Sequence, residues 1–116
     1  MLFLEYPPCS TCKRAKNWLD EHGLAYDDRN IKTENPTYEE LKTWLEASGL
    51  PLKKFFNTSG QLYKSMALKD RLPSMSLEEQ LRLLATDGML VKRPIIAGED
   101  LVLVGFKEAD WEQKLL

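Results

Sequence analysis

The feature that most constrains the fold is the start of the chain, where a short apolar strand leads directly into a helix. Residues 2–6 read LFLEY and two prolines follow, which is typical of a short buried strand that ends at the prolines. From Ser10 the apolar positions recur at helical spacing until Gly23, a suitable C-terminal cap. A second strand-like segment, residues 24–31, comes next. This order predicts a βαβ unit, whose two strands pair in parallel through a right-handed crossover.

The middle of the chain, residues 36–88, has a helical pattern. Two capping boxes, each a Ser or Thr followed three residues later by Glu, predict helix starts at Thr37–Glu40 and at Ser76–Glu79. Apolar residues at helical spacing follow both boxes. We therefore expect a helical segment inserted between two parts of a sheet.

Glycines are predicted to end both of these helices, Gly49 the first and Gly88 the second. Leu77 is expected on the apolar face of the second helix. Between the two helices, residues 52–75 are less periodic, and we expect one or two short helices around residues 62–70.

The last third of the chain returns to strands. The segments RPIIA and LVLVG flank the turn residues Gly98–Asp100, which predicts a hairpin, and residues 107–116 follow as a final helix. The order βαβ, helices, ββα predicts an α/β, thioredoxin-like fold with a four-stranded mixed sheet. The 116 residues match the modal size of one domain. We expect a single domain over 1–116 with a helical insertion at 36–88.

Composition excludes several classes of function. The net charge is −2, whereas a nucleic-acid footprint usually needs a strongly basic face, so no direct nucleic-acid binding is expected. No apolar run approaches the roughly 20 residues of a membrane span. The N-terminus has no basic region before its apolar stretch and does not read as a signal peptide. A cytoplasmic location is expected, where paired cysteines are more often catalytic or metal-binding than structural.

The two cysteines of the chain form a C-x-x-C motif after the first strand, a redox signature in a cytosolic βαβ unit. Cys9 is predicted at or just before the N-terminus of the helix, where unpaired N–H groups and the helix dipole favour a thiolate. Lys13 and Arg14 add positive charge nearby. Such settings lower the pKa of a cysteine and make it the attacking group. Cys12, one turn on and on the apolar face, is predicted to resolve the mixed disulfide.

Other uses of the cysteine pair fit less well. A zinc site wants four ligands, and beyond the pair the chain offers a lone histidine, His22, more typical of a helix end. We therefore expect no metal. Haem attachment needs histidine at position 13, which is lysine, and a cysteine-phosphatase loop needs arginine at position 15, which is alanine. A structural disulfide is not expected in the cytosol, and an inert pair stays open.

A second feature is Lys92-Arg93-Pro94, at the entry to the third predicted strand. Proline cannot donate to a sheet ladder, so the start of a strand suits it. Few X-Pro bonds in folded proteins are cis, so the residues alone do not indicate which isomer Pro94 adopts.

With both features in place, the chain resembles the ArsC/Spx family, a branch of the thioredoxin superfamily with a helical insertion. The resemblance covers nearly the whole chain and depends on the segments CSTCKRAKNWLDEHG, DRN, FFNTSGQLYK, KRPII and LVGF. Within that family it is similar to the short bacterial branches typified by Spx/MgsR and by YusI/YffB.

The resemblance implies roles for several residues. Cys9 matches the nucleophile of arsenate reductases and the first cysteine of the Spx redox switch, and Cys12 matches the second. Arg93 is the family arginine near Cys9, and Pro94 is the cis-proline that faces it. Three further residues belong to the thiolate environment: Ser10, Thr11 and Lys13.

The anion ligands depart from the family pattern. Glutaredoxin-linked arsenate reductases place three arginines around the oxyanion, and only Arg93 matches here. Asn57 and Lys107 fall near the other two positions and are predicted anion or partner contacts. A guanidinium binds an oxyanion through two parallel hydrogen bonds, which lysine and asparagine do not reproduce.

Three functions follow from this sequence. The first is a thiol–disulfide oxidoreductase that uses Cys9 and Cys12, binds no cofactor and takes glutathione or thioredoxin as reductant. The second is an Spx-like redox-sensing transcriptional regulator that binds the α subunit of RNA polymerase. The third is a glutathione- or thioredoxin-linked arsenate reductase. The expected substrate is accordingly a thiol or disulfide protein or a small oxyanion.

Overall fold

The computed structural model describes all 116 residues and contains a four-stranded mixed sheet in the order β2-β1-β3-β4. The strands are β1 (Leu2–Glu5), β2 (Asp27–Asn30), β3 (Ile95–Ala97) and β4 (Val102–Val104). Strand β1 pairs in parallel with β2 and antiparallel with β3, and β3 pairs antiparallel with β4. The predicted βαβ unit, the hairpin and the mixed sheet are therefore confirmed.

Six α-helices surround the sheet. They are α1 (Ser10–Glu21), α2 (Tyr38–Ser48), α3 (Gln61–Ser65), α4 (Leu68–Arg71), α5 (Leu77–Leu84) and α6 (Glu108–Leu115). Short 3₁₀ turns occur at Leu52–Phe55, Leu72–Ser74 and Gly88–Leu90. Helices α2 to α5 lie between β2 and β3 in the chain, within the segment predicted to be inserted. No helix has the length and apolar character needed to cross a membrane.

Both predicted capping boxes are present. The Thr37 hydroxyl accepts a hydrogen bond from the Glu40 N–H at 3.1 Å, and the Glu40 carboxylate accepts one from the Thr37 N–H at 3.0 Å. Ser76 and Glu79 make the same pair of bonds at the start of α5. Each box satisfies two N–H groups that the first turn would otherwise leave unpaired.

The second strand is shorter than the predicted segment 24–31. Gly23, with φ of +66°, donates its N–H to Asp20 O, and Leu24 donates to Leu19 O. These two bonds form a Schellman motif that ends α1. The ladder to β1 begins at Asp27, which pairs with Leu2.

Two predictions for α5 were wrong. The helix ends at Leu84, and Gly88 instead begins a 3₁₀ turn that packs against Ile31. A Cβ atom on Gly88 would lie 1.8 Å from Ile31 O, so glycine is required there by close approach and not as a helix cap. Leu77 is 58% exposed, because it is the first residue of α5 and points away from the core.

The sheet separates two hydrophobic clusters. Phe3 of β1 packs into the smaller cluster with α1 and α6, whereas Leu4 packs into the larger one with α2 to α5. This alternation follows from the two-residue period of a strand. With both faces covered, β1 delivers the following loop and the start of α1 to one edge of the molecule.

Candidate functional site

Cys9 is the N-cap residue of α1. Its Sγ accepts a hydrogen bond from the Cys12 N–H at 3.4 Å, and its own N–H donates to Tyr6 O at 2.9 Å. The backbone of Cys9 is extended, with φ −74° and ψ 123°, as expected for an N-cap. The predicted position of the sulfur at the helix N-terminus is therefore what the structure has.

The Arg93–Pro94 segment lies across from this helix start. The peptide bond between these residues is cis, as the family resemblance implied. The Arg93 guanidinium carbon stands 5.1 Å from the centroid of the Tyr6 ring, a cation–π contact. Its Nη1 is buried and has no hydrogen-bond partner. Tyr6 was not predicted as a site residue, and its position just before the two prolines was the only signal.

The pKa of Cys9 is lowered from the ordinary value of a thiol. Burial is the largest single influence and raises the pKa. Hydrogen bonds from the Cys12 backbone and thiol, together with the Arg93 guanidinium, lower the pKa by more than burial raises it. We attribute the effect of Arg93 to its positive charge and not to a hydrogen bond, because the group that donates a hydrogen bond to Cys9 Sγ is the Cys12 N–H. The result favours a thiolate, the reactive form in disulfide exchange.

Cys12 has the opposite electrostatic environment. The pKa of its thiol is raised to about 12, chiefly by burial and further by the neighbouring Cys9 sulfur, against the lowering effects of a hydrogen bond with the Tyr6 backbone and of the Arg93 charge. Both cysteines are free thiols in the structure, Cys9 half-buried and Cys12 buried. The two sulfurs therefore differ in accessibility and in charge, as their predicted attacking and resolving roles require.

The residues predicted around the thiolate lie in the first turn of α1. Ser10 and Lys13 are exposed, and Thr11 accepts a hydrogen bond from the Arg14 guanidinium at 3.3 Å. The cation that lowers the pKa of Cys9 is Arg93, the arginine that the family resemblance placed near it, and not Lys13 or Arg14, the basic residues adjacent in sequence.

The two predicted anion contacts, Asn57 and Lys107, come from separate loops. Asn57 follows a β-bridge between Phe56 and Val91, and its N–H donates to Leu90 O at 2.8 Å, which places its backbone beside the segment leading to Arg93. Lys107 is the exposed N-cap residue of α6. Neither side chain hydrogen bonds to the cysteines or to Arg93, and their roles stay predictions.

His22 lies at the C-terminal end of α1, away from the cysteines. Its Nδ1 is 2.8 Å from Trp18 O, and its ring stacks on the Trp18 indole. The structure brings together no group of three or more His, Cys, Asp and Glu side chains that could hold a metal ion.

Comparison with known proteins agrees with this geometry. The sequence profile of the ArsC family matches residues 4–114. The uncharacterized protein YusI of Bacillus subtilis is 51% identical over 113 residues, which cover 97% of this chain and 96% of YusI. The global transcriptional regulator Spx of Staphylococcus saprophyticus is 32% identical over 88% of this chain and 76% of Spx.

Among solved structures, the chain is similar to an "ArsC family related protein" from Bacteroides fragilis. The two are 58% identical and superpose with a TM-score of 0.94, covering 97% of this chain and 94% of the other. The predicted thioredoxin-like architecture is therefore shared with this group of structures.

Proposed function

The chain belongs to the ArsC family, and from that premise we propose that it is a thiol–disulfide oxidoreductase whose reactive group is Cys9. The observation that carries the proposal is the position of the sulfur. Cys9 Sγ caps the N-terminus of α1 beside the Arg93 guanidinium, and both neighbours favour the thiolate. The nearby thiol of Cys12 supplies the second half of the reaction.

The proposed reaction has two steps. The Cys9 thiolate attacks one sulfur of a substrate disulfide, so that a Cys9–substrate bond forms while the substrate S–S bond breaks and one thiolate departs. Cys12 then releases its proton to solvent and attacks Cys9 Sγ. The Cys9–Cys12 disulfide forms and the second substrate thiolate leaves. The substrate gains two electrons and the cysteine pair loses two.

The cycle needs an external thiol to restore the reduced pair. Glutathione or thioredoxin supplies the two electrons in this proposal, and no bound cofactor takes part. We place the chemistry in the cytoplasm, where such thiols are kept reduced. Burial raises the pKa of Cys12, so its deprotonation is the pH-sensitive step and resolution should accelerate as the pH rises.

The decisive experiment is to trap the partner of Cys9. A Cys12→Ser variant keeps the attacking thiolate and removes the resolving one, so a substrate should accumulate on Cys9 as a mixed disulfide. Mass spectrometry of the captured species after oxidative challenge distinguishes a protein, glutathione or nothing.

The matched control is Cys9→Ser, in which the thiol with the raised pKa is the only one left. It should trap nothing at neutral pH. The proposal fails if the unsubstituted protein shows no Cys9–Cys12 disulfide by thiol-labelling across the range of cellular glutathione potentials.

A second candidate is a redox-switched transcriptional regulator, favoured by the 32% identity to Spx over 88% of this chain. In that case oxidation of the same cysteine pair would control binding to the α subunit of RNA polymerase. Co-purification with this subunit that changes when the pair is oxidised would support it. No co-purification in either redox state would eliminate it.

A third candidate, arsenate reduction, is favoured by the unpartnered Nη1 of Arg93, a donor suited to an oxyanion. Glutathione- or thioredoxin-dependent turnover of arsenate that Cys9→Ser abolishes would support it. Turnover at the background rate would remove it.

A further inference from the structure

The Arg93–Pro94 segment is connected to the hydrophobic cluster beneath α6 by two successive hydrogen bonds. The Gly105 N–H donates to Pro94 O at 2.8 Å. The Gly105 carbonyl in turn accepts a buried hydrogen bond from Trp111 Nε1 at 3.1 Å. Trp111 is 1% exposed and lies on α6. These two hydrogen bonds therefore connect Trp111 in the core to Pro94, the residue that precedes β3.

Gly105 is the point at which this path turns. It is buried and has φ of +78°, a left-handed conformation in which a side chain would be strained. The bond to Pro94 lies just beyond the last ladder pair of the hairpin, Ile95 with Val104. The chain turns at Gly105, directly after β4, and the carbonyl of Gly105 accepts the hydrogen bond from the Trp111 indole in the core.

Burial alone does not force an indole in this cluster to find an acceptor. Trp18 packs against Trp111 with ring centroids 5.8 Å apart and is 4% exposed, yet its Nε1 has no partner. The bond from Trp111 to Gly105 is thus a specific feature of the turn. Losing it would leave a buried carbonyl unsatisfied and would loosen the turn.

We propose that Trp111 is a positioning residue for the reactive site: through Gly105 it holds the Arg93–Pro94 segment against Cys9. Arg93 belongs to this segment, and its guanidinium lies over the Tyr6 ring, close enough to the Cys9 sulfur for its charge to lower the pKa of that thiol. A small displacement of the segment separates the guanidinium from the sulfur. The consequence for turnover depends on the proposed oxidoreductase function, whereas the consequence for the acidity of Cys9 does not.

The test compares two substitutions in a Cys12→Ser background, Trp111→Phe and Trp18→Phe. Each removes one indole from the same cluster, but only the first removes a hydrogen bond to Gly105. Titration of the thiolate by its ultraviolet absorbance should show that Trp111→Phe lowers the acidity constant of Cys9 about threefold or more, which is half a pKa unit. Trp18→Phe should leave the titration of Cys9 unchanged.

A double-mutant cycle separates positioning from general loosening. In an Arg93→Met background, the effect of Trp111→Phe on the acidity of Cys9 should vanish, because no guanidinium is left to displace. Equal titration curves for the two tryptophan variants, or an undiminished effect without Arg93, would overturn the proposal.

A third variant tests the proposal if Trp111→Phe fails to fold. Site-specific replacement of Trp111 by benzothienylalanine keeps the shape of the side chain and removes only the N–H donor, and the same reduced acidity of Cys9 is expected. An unchanged acidity would overturn the proposal. Failure of the oxidoreductase proposal has a different signature, namely a normal Cys9 titration with no trapped substrate.

Discussion

At the scale of single residues, the site depends on the different environments of two chemically identical thiols. Cys9 is the half-buried N-cap of a helix, whereas Cys12 is buried one turn later. Their order relative to the strand and the helix was enough to predict which one caps the helix, whereas the attacking and resolving roles stay predictions. The cation was not predictable in this way, because Lys13 and Arg14 are neighbours in sequence but Arg93 is the cation that most lowers the pKa of Cys9.

The charge of Arg93 should therefore be measurable in the titration of Cys9. Replacing it in Arg93→Met removes the adjacent cation, so the pKa of Cys9 should rise by about one unit. Arg93→Lys retains a positive charge and should give a smaller rise. The measurement is the pH dependence of alkylation in a Cys12→Ser background. Identical profiles for all three proteins would show that helix-cap hydrogen bonds alone acidify Cys9.

Gly88 is a residue whose role lies in packing. Gly88→Ala would place a methyl group 1.8 Å from Ile31 O, and both atoms are attached to the backbone. We expect urea unfolding to show a loss of about 3 kcal/mol or more, the upper end for overpacking. Gly98→Ala is the control, because its nearest contact would be 3.8 Å away and its φ is not left-handed. Equal stability of the two variants would contradict the close approach.

At the scale of elements, sequence patterns were informative wherever the determining contacts are local. Both capping boxes and the Gly23 helix end involve residues within five positions of each other, and all three were predicted. The error at Gly88 arose because a distant partner decides the structure there. The turn at Gly88 is set by Ile31, which is 57 positions away in the sequence.

The end of β2 is joined to the start of α2 by an ion pair between Arg29 and Glu40 that several hydrogen bonds reinforce. Arg29 donates two hydrogen bonds to Glu40, at 2.7 and 2.9 Å, and donates others to the carbonyls of Glu34 and Asn35. Glu40 also accepts from the Thr37 N–H. One carboxylate thus fixes both the end of β2 and the start of α2. Its partner Arg29 belongs to the DRN segment on which the family resemblance depends.

Glu40→Gln should remove this connection in a pH-dependent way. The Arg29 guanidinium is the main cause that lowers the pKa of Glu40 below its ordinary 4.5. The carboxylate therefore stabilises the fold above that value, and the stabilisation is lost as the pH falls through the lower folded-state pKa. Because Glu40 is one-third exposed, we expect the variant to lose only about 1 kcal/mol at neutral pH.

The same difference should shrink toward zero in acid, where the unsubstituted protein loses its own carboxylate. Urea unfolding over a pH series measures it. Glu78→Gln is the matched control, because its pair with Arg82 is more than 60% exposed on both sides and should contribute little at any pH. A pH-independent loss in Glu40→Gln would show that shape, and not charge, fixes the contact.

At the scale of the whole molecule, the site exists only once the sheet is complete. Cys9 follows β1 and Arg93 precedes β3, and these strands are neighbours in the sheet although 84 positions separate the two residues. Composition and periodicity could place each residue on its element, but they could not bring the two together. The family resemblance supplied that pairing, and it did not supply Tyr6, Gly105 or Trp111, whose contacts depend on the detailed course of the loops.

The charge of the whole molecule leads to a prediction about partners. With 16 Lys and Arg against 18 Asp and Glu, the chain carries a net charge of −2. Affinity for duplex DNA comes largely from cations that displace counterions from phosphates, so this protein should bind it more weakly than about 10⁻⁴ M. Fluorescence anisotropy with labelled duplex DNA at physiological salt, with the cysteine pair reduced and then oxidised, measures this directly.

Oxidation should not alter the result, because forming the Cys9–Cys12 disulfide replaces a thiolate and removes at most one negative charge. A basic DNA-binding protein run alongside verifies that the assay detects salt-dependent binding. Affinity in the micromolar range that weakens with added salt would reveal a local basic surface despite the net charge. If the regulator candidate is correct, the protein should therefore reach promoters through the polymerase α subunit, and addition of that subunit should be required before any DNA complex forms.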